Sequence, residues 1–268
     1  MGKRDDGYHL LRSIVVFPEF GDKISIEKSE HFALSIHGEF SDGLDAKQNS
    51  ILDAVHWFEG SHGVEARVNI TVEKNLPVMA GLGGGTADCA ATIHGLCALY
   101  EVDLPEPQSL VGLGADVPVS CYGNTVLMEG VGEKLLPISH TNTIYMVMVN
   151  PMRSVSTRSV FANMNLDFIK TQTEENVDNL PWQLVFPSND MQVAAIGLCP
   201  EIADCLRIVK DAGAMITQMS GSGATVFGIC DSAEHANHVA KKIKLDRPHY
   251  WVQSTSVRPS DGQPYRIG

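Results

Sequence analysis

Gly81, Gly83, Gly84 and Gly85 fall within five consecutive positions, between a run that alternates like a β-strand and an alanine-rich run with helical spacing. The whole stretch reads Pro77-Val78-Met79-Ala80-Gly81-Leu82-Gly83-Gly84-Gly85-Thr86-Ala87-Asp88-Cys89-Ala90-Ala91. Four glycines carry a large conformational-entropy cost for a mere turn, so the loop invites a second explanation: a backbone that must come close to something. A strand–loop–helix order brings the unpaired N–H groups of the helix start, and the positive end of its dipole, together at Gly84, Gly85 and Thr86. That is a site for an anion, and for phosphate in particular, with a tight structural turn as the alternative. The loop is not a Walker A motif, because no lysine follows its glycines. Nor is it the dinucleotide fingerprint, whose sixth position would have to be glycine where Thr86 stands.

The flanking sequence supplies the strand and the helix. "ARVNITVEK" (66–74) places Val68, Ile70 and Val72 on one face. The spacing after the loop predicts a helix over 85–100, with Ala87, Ala90, Ala91, His94, Cys97 and Ala98 as a close-packing face of small side chains. Upstream, "DKISIEK" (22–28) and "FALSIHG" (32–38) read as a β-hairpin. "NSILDAVHWF" (49–58) reads as a helix capped by Asn49. Residues 102–123 read as a loop because of their prolines, and "NTVLMEGVGEKLLPI" as a hairpin. A buried strand, "IYMVMVNP", opens the second half at 144, and a domain boundary is expected just before it, dividing the chain at 142/143. Beyond it come a helix at 156–164, a polar stretch, helices near 189–197 and 200–211, strands at 214–220 and 224–230, a helix at 232–244 and a last strand at 249–257. The alternation implies an α/β (α+β) chain with helices on one face of a sheet.

Bulk properties narrow the function. A chain of 268 residues with 44% hydrophobic residues suffices for two modest cores. A formal net charge of −12 argues against a general nucleic-acid binder, which needs lysine and arginine against phosphates, but leaves room for a small phosphorylated ligand. No segment approaches a bilayer span, the first residues carry neither a signal-peptide core nor a myristoylation pattern, and a soluble cytoplasmic protein is expected. The six cysteines form no CxxC pair and read as buried free thiols. His94 reads as a satisfied core histidine, and His235-x2-His238 as part of a solvated helix face.

Two further stretches share the character of the glycine loop. "SGSGATVF" holds Gly221, Ser222 and Gly223 between two strands. "LGADVPVS" holds Asp116 after Gly114-Ala115, where it reads as a buried carboxylate that needs a partner or a task; a turn cap is the alternative. Together the three stretches resemble the superfamily of galactokinase, homoserine kinase, mevalonate kinase and phosphomevalonate kinase (the GHMP kinases), whose Pro-x3-Gly-Leu signature matches from Pro77 to Ala87. Within it, Arg4, Asp6, Gly7, Tyr8 and His9, with "LGADVPV", "EGVGEKL" and "PSNDMQ", are similar to the 4-diphosphocytidyl-2-C-methyl-D-erythritol kinase family from about residue 2 to about 256.

The resemblance implies a two-domain fold, a ribosomal-S5-like N-terminal domain over 1–142 and a ferredoxin-like C-terminal domain over 143–268. It also implies ATP and Mg²⁺ as cofactors, and a cytidine diphosphate-linked methylerythritol as the small-molecule partner. Nucleic acid and membrane are not expected as partners, and monomer and homodimer are both left open. It casts Asp116 as the catalytic aspartate. Pro77, Gly81, Leu82, Gly83, Gly84, Gly85, Thr86 and Ala87, with Gly221, Ser222 and Gly223, would hold the triphosphate, and Thr86 would serve the metal. Tyr8 and His9 would hold the cytosine. Asn49 and Lys74 resemble positions lining the adenosine pocket, although Lys74 also reads as a solvated lysine at a strand end.

One departure counts against activity. The family opens with Pro-Ala-Lys-x-Asn-Leu, upstream of Gly-Tyr-His, and this chain begins at Met1-Gly2-Lys3, inside the following loop. The expectation is a misplaced start or a shortened sequence, lacking the lysine and asparagine of that strand and exposing a sheet edge. A second departure is a short, proline-bearing segment between Leu104 and Gly114, expected to disturb the packing behind Asp116. The rival readings are a homoserine- or mevalonate-type kinase, which the "DGYH" motif disfavours, and a catalytically impaired nucleotide-binding chain. A hydrolase built on Ser222 is more distant, because Ser220 and Ala224 stand where a nucleophile elbow needs glycine.

Overall fold

The computed structural model describes residues 11–45, 49–164 and 188–265. After β1 (Leu11–Val15), the strands β2 (Lys23–Lys28), β3 (Ala33–His37) and β4 (Val68–Glu73) form a three-stranded sheet in the order β2-β4-β3. The strands lie where the alternation puts them, but β2 and β3 are not hairpin partners. β4 separates them, antiparallel to β2 (Lys23↔Glu73) and parallel to β3 (Ala33↔Asn69). The reason lies in the connection: β3 reaches β4 through α1 (Ser50–His62), and a helical crossover suits a parallel pair. The centre of the sheet then goes to the strand with the most apolar face, since Val68, Ile70 and Val72 of β4 are buried.

α1 starts where Asn49 accepts hydrogen bonds from the N–H groups of Ile51 and Leu52, and it stops at Gly63 in the left-handed conformation. α2 (Gly84–Tyr100) packs beside it on the same face of the sheet, burying Cys89, Ala90, Ile93, Leu96 and Cys97 against Ile51, Ala54, Val55 and Phe58. Its buried surface is broader than a stripe of small residues, and Ala91 and Ala98 face outward. Nor is 102–123 a plain loop. Pro107 begins a 3₁₀ helix (Pro107–Leu113) that buries Leu110, and Pro118 lies in the first turn of α3 (Val117–Tyr122). A proline costs nothing at a helix start, where its missing N–H would have had no partner. β5 (Val126–Gly130) and β6 (Lys134–Pro137) form the expected hairpin, and β1 adds to it in the order β1-β5-β6.

The second half builds an antiparallel sheet from β7 (Ile144–Asn150), β8 (Ile216–Met219), β9 (Val226–Cys230) and β10 (Trp251–Val257), in the order β10-β7-β9-β8. Among the described residues, three short or medium helices, α4 (Thr157–Ala162), α5 (Gln192–Leu198) and α6 (Glu201–Ala212), lie between β7 and β8. α7 (Ala233–Asp246) lies between β9 and β10. The strand order and the placement of α6 and α7 make a βαββαβ unit, the ferredoxin-like arrangement. One face of the sheet packs on α6 and α7 through Val147, Val149 and Val226 against Ile202, Val209, Val239 and Ile243. Ile144, Met146 and Met148 point the other way, and Val16, Phe20 and Leu82 cover them. Leu82 belongs to the glycine loop, so that loop is wedged against the second sheet.

All six cysteines are free and buried, and His94 is buried with Nε2 2.8 Å from the Cys121 carbonyl oxygen. No helix among the described residues is long and apolar enough to cross a membrane.

The tightest joint between the two halves is at Gly81. A Cβ there would stand 2.6 Å from the carbonyl oxygens of Ser220 and Gly223, and its φ is 72°. Both facts forbid a side chain. Gly81→Ala should therefore lower the unfolding free energy by about 2–3 kcal/mol, adding a backbone clash to the cost of a left-handed alanine. Gly43→Ala isolates the conformational part, because Gly43 has φ 80° with nothing within 4 Å of its Cβ position. Equal losses in urea unfolding would mean that the two loops part freely.

Candidate active site

β4 runs into the loop 74–83, and the loop runs into α2. Gly83, in the left-handed conformation, occupies the N-cap, and no side chain caps the helix. The first N–H groups of α2, at Gly84, Gly85 and Thr86, therefore have no partner within the helix, at the positive end of a 17-residue helix. Thr86 donates its hydroxyl to the Gly83 carbonyl oxygen at 2.8 Å, which tightens this first turn. The start of α1 lies alongside: a Cβ on Gly85 would stand 3.8 Å from Ser50 Oγ. Asn49, one residue earlier, has its carbonyl oxygen engaged as the cap and its amide nitrogen on the Asp45 carbonyl oxygen at 2.9 Å.

The second glycine loop, 220–223, closes onto the first. Ser220 donates its hydroxyl to the Gly81 carbonyl oxygen at 2.9 Å, and the Thr225 N–H donates to the Ala80 carbonyl oxygen at 3.1 Å. Ser222 is buried, its hydroxyl 2.8 Å from that of Thr157 at the start of α4. Asn189 holds the loop from behind, donating to the carbonyl oxygens of Met219 at 2.9 Å and Gly221 at 2.7 Å. Thr157 carries no sequence signal of its own, and Asn189 stands out only as part of the family-like "PSNDMQ". Between the two loops the first loop presents Val78 and Met79 to solvent, Met79 with φ 53°, a costly conformation for a side chain of its size.

Asp116 stands just before α3. Contrary to the expectation of a buried carboxylate, it is exposed, because the sharp turn at Gly114 (φ 150°) carries it outward. It caps no helix N–H and makes no side-chain hydrogen bond or ion pair among the described residues. The protein around it nevertheless raises its pKa above the ordinary 3.8 by desolvation. Its segment touches the phosphate loop: a Cβ on Gly114 would lie 3.7 Å from the Thr86 methyl, and Ser120 Oγ is 3.5 Å from Thr86 Oγ1. The prolines of 105–118 do not loosen this packing, since Leu110 and Val117 are fully buried behind it.

Lys74 is not a solvated lysine. Its ammonium is buried between Asp22 and Asp88, bonded to Asp22 Oδ2 and at 2.6 Å to Asp88 Oδ2. Asp22 Oδ1 also accepts the N–H groups of Asn75 at 2.6 Å and Leu76 at 2.9 Å. Two carboxylates against one ammonium leave a net negative charge. Burial, only partly offset by Lys74, pushes the Asp88 pKa up to about 6. Burial opposes the charge of Lys74 too, but the hydrogen bonds it donates to both carboxylates hold its pKa above the usual lysine value. The charged form is thus favoured at Lys74 and disfavoured at Asp88, as a triad requires: the cation gains two partners, and the second carboxylate gains a fraction of one. Removing Lys74 would leave two buried like charges, a loss on the order of 3–5 kcal/mol.

Tyr8 and His9 lie outside the described residues, as does the polar stretch of 167–182. Among the described residues no cluster of three His, Cys, Asp or Glu is placed to hold a metal ion. The loop thus presents an uncapped helix start, with a carboxylate unpaired among the described residues on the adjoining segment.

Comparison with known proteins agrees with this geometry. Two family models match, the GHMP kinases N terminal domain over residues 49–124 and the GHMP kinases C terminal over 179–246. The 4-diphosphocytidyl-2-C-methyl-D-erythritol kinase of Chelativorans sp. (strain BNC1) is 37% identical over 97% of this chain and 92% of its own length. The chain belongs to the 4-diphosphocytidyl-2-C-methyl-D-erythritol kinase family. The family's enzyme from Ruegeria pomeroyi is 39% identical, covering 93% of this chain and 91% of that one. A crystal structure of 4-(cytidine 5'-diphospho)-2C-methyl-D-erythritol kinase superposes with a TM-score of 0.79 at 25% identity, over 96% of this chain and 94% of that chain. The two-domain GHMP kinase fold is therefore established for the chain, and the activity class is an ATP-dependent small-molecule kinase.

In this family member the raised pKa of Asp88 sets a pH dependence. The unfolded chain gives up the Asp88 proton near 3.8, whereas the folded chain keeps it to about 6. Between those values the folded state binds more protons, so stability falls as pH rises. Asp88→Asn removes the titration. The stability of wild type relative to Asp88→Asn should fall by on the order of 2 kcal/mol from pH 4 to pH 6.5 in urea unfolding. A difference that stays flat, or a wild type that gains, contradicts this role for Asp88.

Proposed function

We propose that the chain transfers the γ-phosphoryl group of ATP to the 2-hydroxyl of 4-diphosphocytidyl-2-C-methyl-D-erythritol, a step of non-mevalonate isoprenoid precursor biosynthesis. One observation carries this reading: an uncapped helix start between two interlocked glycine loops, with the unpaired carboxylate of Asp116 on the adjoining segment. The names of the relatives support the substrate.

The N–H groups of Gly84, Gly85 and Thr86 hold the phosphate oxygens, and the backbone of 81–83 and 221–223 encloses them. Pro77 and Ala87 bound the loop, while Leu82 anchors it to the second sheet. Asp116 orients the acceptor hydroxyl and takes its proton late in the transfer, as the bond from that oxygen to the γ-phosphorus forms and the bond to the β–γ bridging oxygen breaks, releasing ADP. Asn49 borders the adenosine end of the site. Tyr8 and His9 serve the cytosine, Tyr8 by stacking and His9 by hydrogen bonds to the base edge. Mg²⁺ fits as an ion that arrives with the nucleotide, held by phosphate oxygens and by the Thr86 hydroxyl. Held by these groups, it would supply positive charge against the charge developing on the transferring group.

The test is ADP release with Mg-ATP and each candidate acceptor. Turnover is expected with 4-diphosphocytidyl-2-C-methyl-D-erythritol and not with homoserine or mevalonate. Asp116→Asn should lower kcat by roughly 10²–10⁴-fold while ATP affinity stays close to wild type. Because the Asp116 pKa is raised, kcat/KM should decline as pH falls through a value above the ordinary 3.8. Turnover with homoserine or mevalonate, or full activity in Asp116→Asn, would overturn the proposal.

A further inference from the structure

The phosphate loop rests on a buried group of three charges that its chemistry does not call for. Asp22 sits immediately before β2, Lys74 immediately after β4, and Asp88 in the second turn of α2. Their side chains are 3%, 8% and 9% exposed. Each member grips a different part of the loop's frame. Asp22 takes the N–H groups of Asn75 and Leu76, the first two residues of the chain leaving Lys74. The Asn75 amide returns a hydrogen bond to the Gly21 carbonyl oxygen at 3.2 Å. Asp22 Oδ2 also lies against the start of α2, 3.6 Å from where a Gly84 Cβ would be. Asp88 ties the same ammonium to α2 one turn further on. The Lys74 ammonium therefore joins the entry of the loop to its exit, with two of its three N–H donors given to carboxylates in a space nearly closed to solvent.

We infer that Asp22, Lys74 and Asp88 are positioning residues that fix the angle at which the N–H groups of α2 meet the nucleotide phosphates, and that Lys74 is not itself a nucleotide ligand. The inference rests on the reading that α2 receives the phosphates of ATP. It replaces the expectation that Lys74 lines the adenosine pocket, and the two roles make opposite predictions. A ligand lysine, freed by neutralising Asp88, would bind nucleotide as well as before or better. A positioning lysine cannot do its work without Asp88. A lysine in the adenosine pocket would also matter for adenosine alone, whereas a frame for the phosphate loop matters only when phosphates are present.

The experiment measures Mg-ATP and adenosine affinities by calorimetry on the full chain, for wild type, Asp88→Asn, Lys74→Met and the double variant, with circular dichroism confirming the fold of each. Asp88→Asn and Lys74→Met are each expected to weaken Mg-ATP binding roughly tenfold to a hundredfold, the double variant no more than Lys74→Met, and adenosine affinity should hold in all. A general loss of structure would move both ligands together and so cannot imitate this split. If Lys74→Met does not fold, Asp88→Asn decides alone: weaker Mg-ATP with unchanged adenosine supports positioning. Unchanged or tighter Mg-ATP in Asp88→Asn, or adenosine affinity lost with Lys74, would overturn it. A wild type that binds adenosine but not Mg-ATP would defeat the phosphate reading itself, a result distinct from any produced by the variants.

Discussion

The approach of Gly81 to the backbone of Ser220 and Gly223 is the constraint from which the rest of the molecule follows. Two glycine loops from two separate sheets meet with main-chain atoms in direct contact, and no residue with a side chain fits between them. Because the first loop is the entry to α2 and the second joins β8 to β9, this contact fixes the helix start of one domain against the sheet of the other. Leu82, packed beneath Met146 and Met148, adds the apolar part of the same joint. The start of α2 is left without a side-chain cap, and on the proposed reading its N–H groups receive phosphate without a lysine in the loop.

That solution suits an acidic chain. With a net charge of −12, the protein as a whole repels a triphosphate, and attraction must come from groups close to it. Helix N–H groups act at hydrogen-bond range and are little affected by distant carboxylates. The buried triad extends the same logic. Asp22 and Asp88 lie beside the start of α2, yet the ammonium between them offsets much of their field, and burial raises the Asp88 pKa to about 6. The charge nearest the phosphates is thus partly neutralised where it would do most harm.

Much of this was legible in the sequence because it is local. Period-two alternation located β2, β3 and β4, and Asn49 marked the start of α1. The glycine cluster marked the loop, since backbone requirements are written in the residues themselves. What failed was pairing. Nothing local in "FALSIHG" says that its partner lies beyond a helix, so alternation alone pairs β3 with β2. The prolines at 105 and 107 made the segment read as a loop, because a helix start and a loop tolerate proline alike. Lys74 is instructive in a different way. It continues the series Val68, Ile70, Val72 at the same spacing of two, so the alternation already pointed it inward. The residue type argued for solvent, and its partners at 22 and 88 lie 52 and 14 residues away, beyond the reach of any local pattern. Asp116 misled in the opposite direction: apolar neighbours implied burial, and the positive-φ backbone of Gly114 turned it out.

The contrast between those carboxylates separates structural from chemical roles. Asp22 accepts two backbone N–H groups and an ammonium, and Asp88 shares the same ammonium, so neither can follow a moving proton without breaking the frame. Asp116 is exposed, and among the described residues its side chain has no hydrogen-bond or ion-pair partner. The protein around it raises its pKa by desolvation, and no cation among the described residues pairs with it to offset that shift. Such a carboxylate is open to a donor from outside the chain, and on the proposed reading the acceptor hydroxyl beside the phosphates is that donor. The unpaired state of Asp116 is therefore better explained by the reaction than by the fold, which would be as well served by any small polar residue before Val117.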